Sequence, residues 1–220
     1  MNETQKLDGQ DWLLWQLADS AFPTGGFAHS NGLEAAWQQG EARHAADLSA
    51  FLEASLWQMG RGILPFVMAA HDEPDQLAAL DQHSEAFLSN HVANRASRLQ
   101  GRALLASARR VFAPLSLAQP CYGHWAPVFG AITNVLGVTR SSAANLFCFQ
   151  HLRGVLSAAV RLGIVGPLEA QALQHQFAPC AERILSQCEN LAIGEIAQTA
   201  PLLEIWQGTQ DRLYSRLFQS

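Results

Sequence analysis

Between residues 47 and 63, Leu48, Phe51, Leu52, Leu56, Met59 and Ile63 recur at steps of three and four. That spacing lines them along one side of a helix but scatters them over both faces of a strand, so the segment can bury an apolar stripe only as a helix. The same period returns in Trp12 to Leu17, in Leu33 to Trp37 before Gly40, and in Leu77 to Leu88. It continues through 92–112, 124–136, 140–162 and 168–177, and in a segment that Pro179 opens towards Ile196. No strand-like alternation of useful length occurs. The pattern predicts an all-α, single-domain bundle of roughly eight to ten helices over residues 1–220, given ordinary helices of about 11 residues. Asp47 is expected to cap the long helix, Pro65 to kink or split it, and the very apolar 140–162 helix to lie at the centre.

Several function classes are disfavoured by composition. The formal charge of -5 and pI of 5.9 do not suit a chain whose main partner is nucleic acid. Lys6 is the only lysine, so the other positive charges are arginines. Cys121, Cys148, Cys180 and Cys188 form no zinc spacing, and Cys148 falls in an apolar run where a buried thiol is expected. The polar N-terminus lacks a signal-peptide core, residues 1–10 read as a flexible end, and no window approaches the roughly 20 apolar residues of a membrane helix. A cytoplasmic protein without membrane contact is expected.

Two stretches stand out against the helical background. Residues 19–34 concentrate Pro23, Gly25, Gly26 and Gly32 beside Phe22 and Phe27, which predicts a shaped turn pinned to the body by its aromatics. It carries His29, Ser30 and Glu34, the residue types of a hydrolase, although neither a GxSxG elbow nor a phosphate-binding glycine pattern is present. The alternative is structural: Ser30 or Asn31 caps the helix that follows. The second stretch is the tail from residue 202, whose Leu213, Tyr214, Leu217 and Phe218 need covering by the domain or by a partner protein. Arg95, Arg98, Arg102 and Arg109 share one helical face, a solvated surface or one for RNA or an acidic partner. Arg161 follows an apolar run, so partial burial is expected, with helix-end carbonyls, Glu34 or Glu169 as acceptors. His71, Asp72, Glu73 and Asp75 read as a polar turn and at most a weak metal site.

The ordered motifs resemble one family, the urease accessory protein UreF. The loop Ser20-Ala21-Phe22-Pro23-Thr24-Gly25-Gly26-Phe27-Ala28-His29-Ser30-Asn31-Gly32-Leu33-Glu34 is similar to its N-terminal signature. His124-Trp125-Ala126-Pro127-Val128-Phe129-Gly130 is similar to its middle motif, and Ser157-Ala158-Ala159-Val160-Arg161-Leu162-Gly163 with Gly166 and Gln171 to a third. The tail from Leu213 to Ser220 is similar to the family's terminus, with Gln219 where Arg is more familiar. The resemblance implies a non-enzymatic, cytoplasmic homodimer that binds UreD (also called UreH) and the GTPase UreG, regulates that GTPase, and supports nickel insertion into apo-urease. It implies no cofactor or metal of its own, since nickel and GTP belong to the partner complex. The partner-binding residues it implies are Phe22, Pro23, Gly25, Gly26, His29, Ser30, Gly32, Glu34, Arg161, Gln171, Tyr214, Arg216, Leu217 and Phe218. The alternative function is a hydrolase using His29, Ser30 and Glu34.

Overall fold

A computed structural model describes residues 9–220, and all regular structure among them is helical. Residues 1–8, most of the expected flexible end, lie outside the described residues. In chain order the α-helices are α1 (Gly9–Ala18), α2 (Leu33–Gln38), α3 (Ala45–Gln58), α4 (Leu64–Asp72), α5 (Leu77–Phe87), α6 (His91–Val111), α7 (Trp125–Val135), α8 (Arg140–Arg161), α9 (Pro167–Gln176), α10 (Ala178–Cys188) and α11 (Pro201–Thr209). A π turn, Met59–Ile63, joins α3 to α4 with Pro65 just inside α4, so the long rod is split at the expected place. The hydrogen bond that Pro65 cannot give is made good from outside the rod: the Arg61 carbonyl, one turn earlier, accepts the main-chain N–H of Ala197 at 3.2 Å.

The centre of the molecule is the pair α4 and α7, which pack along their length. Every residue of α7 from Ala126 to Thr133 is buried, and a Cβ at Gly130 would overlap the Val67 carbonyl of α4, so this position admits only glycine at that approach. Helix α8 shares that centre: it packs against α1, α2, α3, α4, α7, α9 and α10, the central position expected of it. Leu152, Val155, Leu156 and Ala159 are buried while Phe149 reaches solvent. Cys148 is buried as expected, and burial pushes its thiol up to about 12.

Local capping differs from the sequence expectation at several points. Asp47 occupies the third position of α3, behind the cap residue His44, and accepts the main-chain N–H groups of Arg43 and His44. These bonds, the Arg43 one first, hold its carboxyl below the usual range. The cap position of α2 is Gly32, in the left-handed region, and Ser30, two residues earlier, still serves the helix start: its hydroxyl accepts the main-chain N–H of Glu34 at 3.4 Å. Helix α10 stops at Cys188 well before Ile196. In the tail, α11 and a 3-10 turn, Gln210–Arg212, precede an irregular segment, 213–220, that bends at Tyr214–Ser215 and again at Leu217–Phe218.

Candidate functional site

The glycine-rich loop and the tail, separated by the whole of the helical body in sequence, meet in space. After Phe22 packs on Phe112, with centroids 6.0 Å apart, the chain makes a 3-10 turn at Gly26–Ala28 and passes through Asn31 at φ 55 and Gly32 at φ 86. Positive φ at two successive positions reverses the backbone, and glycine serves at the second because a Cβ there would also press on the Gln207 main-chain nitrogen of α11. The reversal brings His29, Ser30 and Glu34 to one buried wall, each almost wholly removed from solvent.

That wall holds residues 217–220. The Glu34 carboxylate accepts the main-chain N–H of Leu217 at 2.6 Å and of Phe218 at 3.1 Å, and the Gln210 side-chain amide at 2.6 Å. Gln219 donates its main-chain N–H to the Ala28 carbonyl at 2.8 Å. Ser30 donates both its main-chain N–H, at 2.5 Å, and its hydroxyl, at 2.9 Å, to the Ser220 main-chain oxygen. His29 Nδ1 lies 2.6 Å from the Ser220 hydroxyl. Burial, with Arg95 nearby as a lesser cause, depresses the His29 imidazole to about 4, so it is neutral at pH 7.

Arg161 bolts this assembly to α8. The helix ends in a Schellman arrangement, with Ile164 donating to the Ala159 carbonyl and Gly163 to Val160, which sets Arg161 in the last turn. Its guanidinium lies between the Phe27 and Phe218 rings, at 4.0 and 4.1 Å from their centroids, and donates to the Phe27 carbonyl at 2.6 Å and the Leu217 carbonyl at 3.4 Å. Two expectations are corrected here. Arg161 is exposed and takes loop and tail carbonyls in place of Glu34 or Glu169. Phe27 is not buried: it is 72% exposed and held by the cation beneath it, because one ring face satisfied by a guanidinium leaves the other to solvent.

The tail divides at this wall. Phe218 is buried in the core, whereas Tyr214 is fully exposed and Leu217 is 58% exposed. Arg216 donates to Asp211, which also receives a bidentate pair from Arg95 at 2.8 and 2.9 Å. Sequence reasoning missed Gln210, Asp211, Ser220 and the roles of Arg95 and Phe27. A usable signal existed for one element: Glu34 is a lone carboxylate between Leu33 and the small residues Ala35 and Ala36, and a carboxylate in such a setting must be paired when buried. Pro23 and Gly25 lie at the exposed outer rim of the loop, and Gly26 is partly buried. Gln171 sits on the exposed face of α9, and no hydrogen bond joins it to the loop or tail among the described residues.

The structure does not gather His29, Ser30 and Glu34 into a relay. Ser30 and His29 both turn to Ser220, and the Glu34 oxygens are occupied by main-chain and amide donors. Behind the loop lies a cavity of about 330 Å³ bordered by Phe22, Gly26, Gln150, His151 and Ser157. His151 is depressed to about 4 by burial and touches Ser55 at 2.7 Å. Among the described residues no three His, Cys, Asp or Glu side chains converge as metal ligands. His71 is buried against the Val138 carbonyl and Asp72 pairs with Arg140, so the expected polar turn is only partly solvated.

Residues 42–178 match the family model described as UreF. The chain belongs to the UreF family. It is 42% identical over 219 residues to "Urease accessory protein F" of Oryza sativa subsp. indica, covering 94% of this chain and 84% of that protein. It is 41% identical over 222 residues to the Arabidopsis thaliana protein of the same name, covering 95% and 92%. "Urease accessory protein UreF" of Mesorhizobium japonicum is 30% identical over 208 residues, covering 91% of this chain and 92% of that protein. The loop and the tail of this UreF chain lie outside the residues matched by the family model, which is carried by the helical body. Among the described residues no helix is long and apolar enough to cross a membrane.

Proposed function

We propose that this UreF chain acts in urease maturation as a non-enzymatic scaffold, and that its loop and tail together form the surface that receives UreD/UreH. The single observation that carries the reading is the docking of residues 217–220 on Glu34, Ser30 and Arg161. Docking fixes the backbone of a segment whose Tyr214 and Leu217 remain in solvent beside Phe27 and Arg216. Ordering these side chains before association lowers the entropy cost of binding, and Tyr, Arg and apolar groups together are the mixture that dominates protein interfaces. Engagement of UreG and regulation of its GTPase, delivery of nickel to apo-urease by the assembly, a cytoplasmic site of action and a homodimer belong to the same reading. The exposed Trp12, Trp15 and Phe149 are apolar area for the dimer contact. Nickel and GTP are then held by partners, with no cofactor resident in this chain.

Co-purification tests it. Tyr214 is fully exposed and Leu217 mostly so, so with Tyr214→Ala and Leu217→Asp combined the circular dichroism spectrum is expected to stay unchanged while capture of UreD/UreH falls by at least about tenfold, equivalent to about 1.4 kcal/mol. Undiminished capture by the folded double variant would contradict the reading. Separately, Ser30→Ala is expected to abolish no hydrolytic turnover, whereas a hydrolase would lose it with its fold intact.

A further inference from the structure

Helix α6 is electrically unlike the rest of the molecule. It carries Arg95, Arg98, Arg102, Arg109 and Arg110 and no aspartate or glutamate, in a chain whose formal charge is -5. Its inner side is fixed: a Cβ at Gly101 would overlap the Gly123 carbonyl and the start of α7, so the helix is clamped there and its outer face is presented in one orientation. Next to that face a groove of about 570 Å³ runs between the end of α5 and the first half of α6. Leu88 and Leu99 supply its apolar contacts, and Leu99 is 46% exposed.

The arginines of the groove are held in place without being used up. Arg95 is committed to the tail, through its bidentate pair with Asp211 and a 3.5 Å contact to the Gln219 carbonyl, and the spare donors belong to its neighbours. Arg98 places one terminal nitrogen 3.3 Å from Glu85 and from Asn94, and its guanidinium lies over the Tyr122 ring at 5.3 Å. Arg102 donates only its Nε, to the Tyr122 carbonyl at 2.7 Å. Among the described residues, the second terminal nitrogen of Arg98 and both of Arg102 make no hydrogen bond. One helical turn apart, with Leu99 between them, these donors are set up to meet carboxylates.

We infer that this groove is a second docking surface, separate from the tail, for an acidic amphipathic segment of a partner protein. Its carboxylates would pair with Arg98 and Arg102, and an apolar side chain would cover Leu99 and Leu88. A protein segment fits better than nucleic acid because the groove has few free cations. Arg95 and Arg98 are already paired with Asp211 and Glu85, which leaves Arg102 as its arginine without an ion pair among the described residues, and a phosphate backbone relies on many such charges. Leu99 offers contact to an aliphatic side chain, while base stacking uses exposed aromatic platforms.

The test is fluorescence anisotropy with the full chain and two labelled probes: a synthetic glutamate-rich helical peptide with leucine on one face, and a single-stranded RNA of equal charge. The peptide is expected to bind saturably at low salt. Arg102→Glu and Leu99→Asp are each expected to weaken it by about tenfold or more, about 1.4 kcal/mol. Arg183→Glu, which makes the same charge change on α10, is expected to leave peptide binding within about twofold, far short of that step. Both groove variants replace exposed or half-exposed side chains, so both are expected to keep the native circular dichroism spectrum. RNA binding as tight as the peptide's, an equal loss in Arg183→Glu, indifference to both groove variants, or no saturable peptide binding would each overturn the inference.

Discussion

Asp81 and Glu34 are both fully buried carboxylates that accept two main-chain N–H groups, yet they serve different ends. Asp81 takes the N–H of Tyr122 at 2.7 Å and of His124 at 2.8 Å, and Glu34 takes those of Leu217 and Phe218. The segment held by Asp81 leads directly into α7, with Tyr122 half-buried and Gly123 and His124 buried. His124 is buried beneath Glu85 and Ser97, at 2.8 and 3.1 Å. Burial, the largest cause, lowers its imidazole despite the two carboxylates nearby. The segment held by Glu34 has solvent on one flank, where Tyr214 and Leu217 emerge. The same anchor therefore makes a core joint where the held segment runs into the body and a presented edge where one flank is open.

The difference predicts which anchor the fold cannot lose. Asp81→Ala leaves the buried N–H of His124 and the partly buried N–H of Tyr122 unpaired, so global stability is expected to fall by about 3 kcal/mol, read by urea denaturation. A loss below about 1 kcal/mol would place Asp81 with Glu34, not apart from it.

Acid acts on the edge through His29. Its folded value of about 4 lies below the unfolded value of 6.5, so the contribution of the neutral ring is complete above pH 6.5 and is lost as pH falls towards 4. The full loss is at most about 3 kcal/mol. His151 titrates in the same window, so the tail-specific share is read as the change in tail protection with pH. His29→Gln is expected to flatten that change. An unaltered pH response in this variant would remove His29 from the tail contact.

Smaller global effects are expected from the edge itself. Glu34→Ala frees residues 217–220 to undock and hydrate, so overall stability is expected to drop by only about 1 kcal/mol even as the tail is released. Arg161→Ala removes the cation between Phe27 and Phe218 at a partly solvated site and is expected to cost about 0.5–1 kcal/mol. Proteolysis near Tyr214 is expected to quicken in both, and an unchanged cleavage rate would argue that neither residue restrains the tail.

Most of the helical body was legible in the sequence because the 3.6-residue period and the positions of Pro65, Gly40, Gly137 and Gly163 are local properties. The loop was also recognisable as a turn from Pro23 and its glycines. That the loop and the tail meet was not legible. Glu34 and Phe218 are 184 positions apart, and nothing local encodes which distant N–H a buried carboxylate will take. Arg161 and Phe27 were misjudged for burial for a related reason: a guanidinium can satisfy a ring face at the surface, which no hydropathy pattern records. The reading of His29, Ser30 and Glu34 as a possible reaction centre came from residue types alone, and their orientation towards Ser220 is a tertiary fact.

The account rests on Glu34 holding the tail, and amide hydrogen exchange at Leu217 and Phe218 tests that most directly. At neutral pH both amides are expected to be protected in the native chain. In Glu34→Ala they are expected to exchange at near-unfolded rates while the α4 and α7 amides keep their protection. Rapid exchange in the native chain, or unchanged protection after the substitution, would contradict the account.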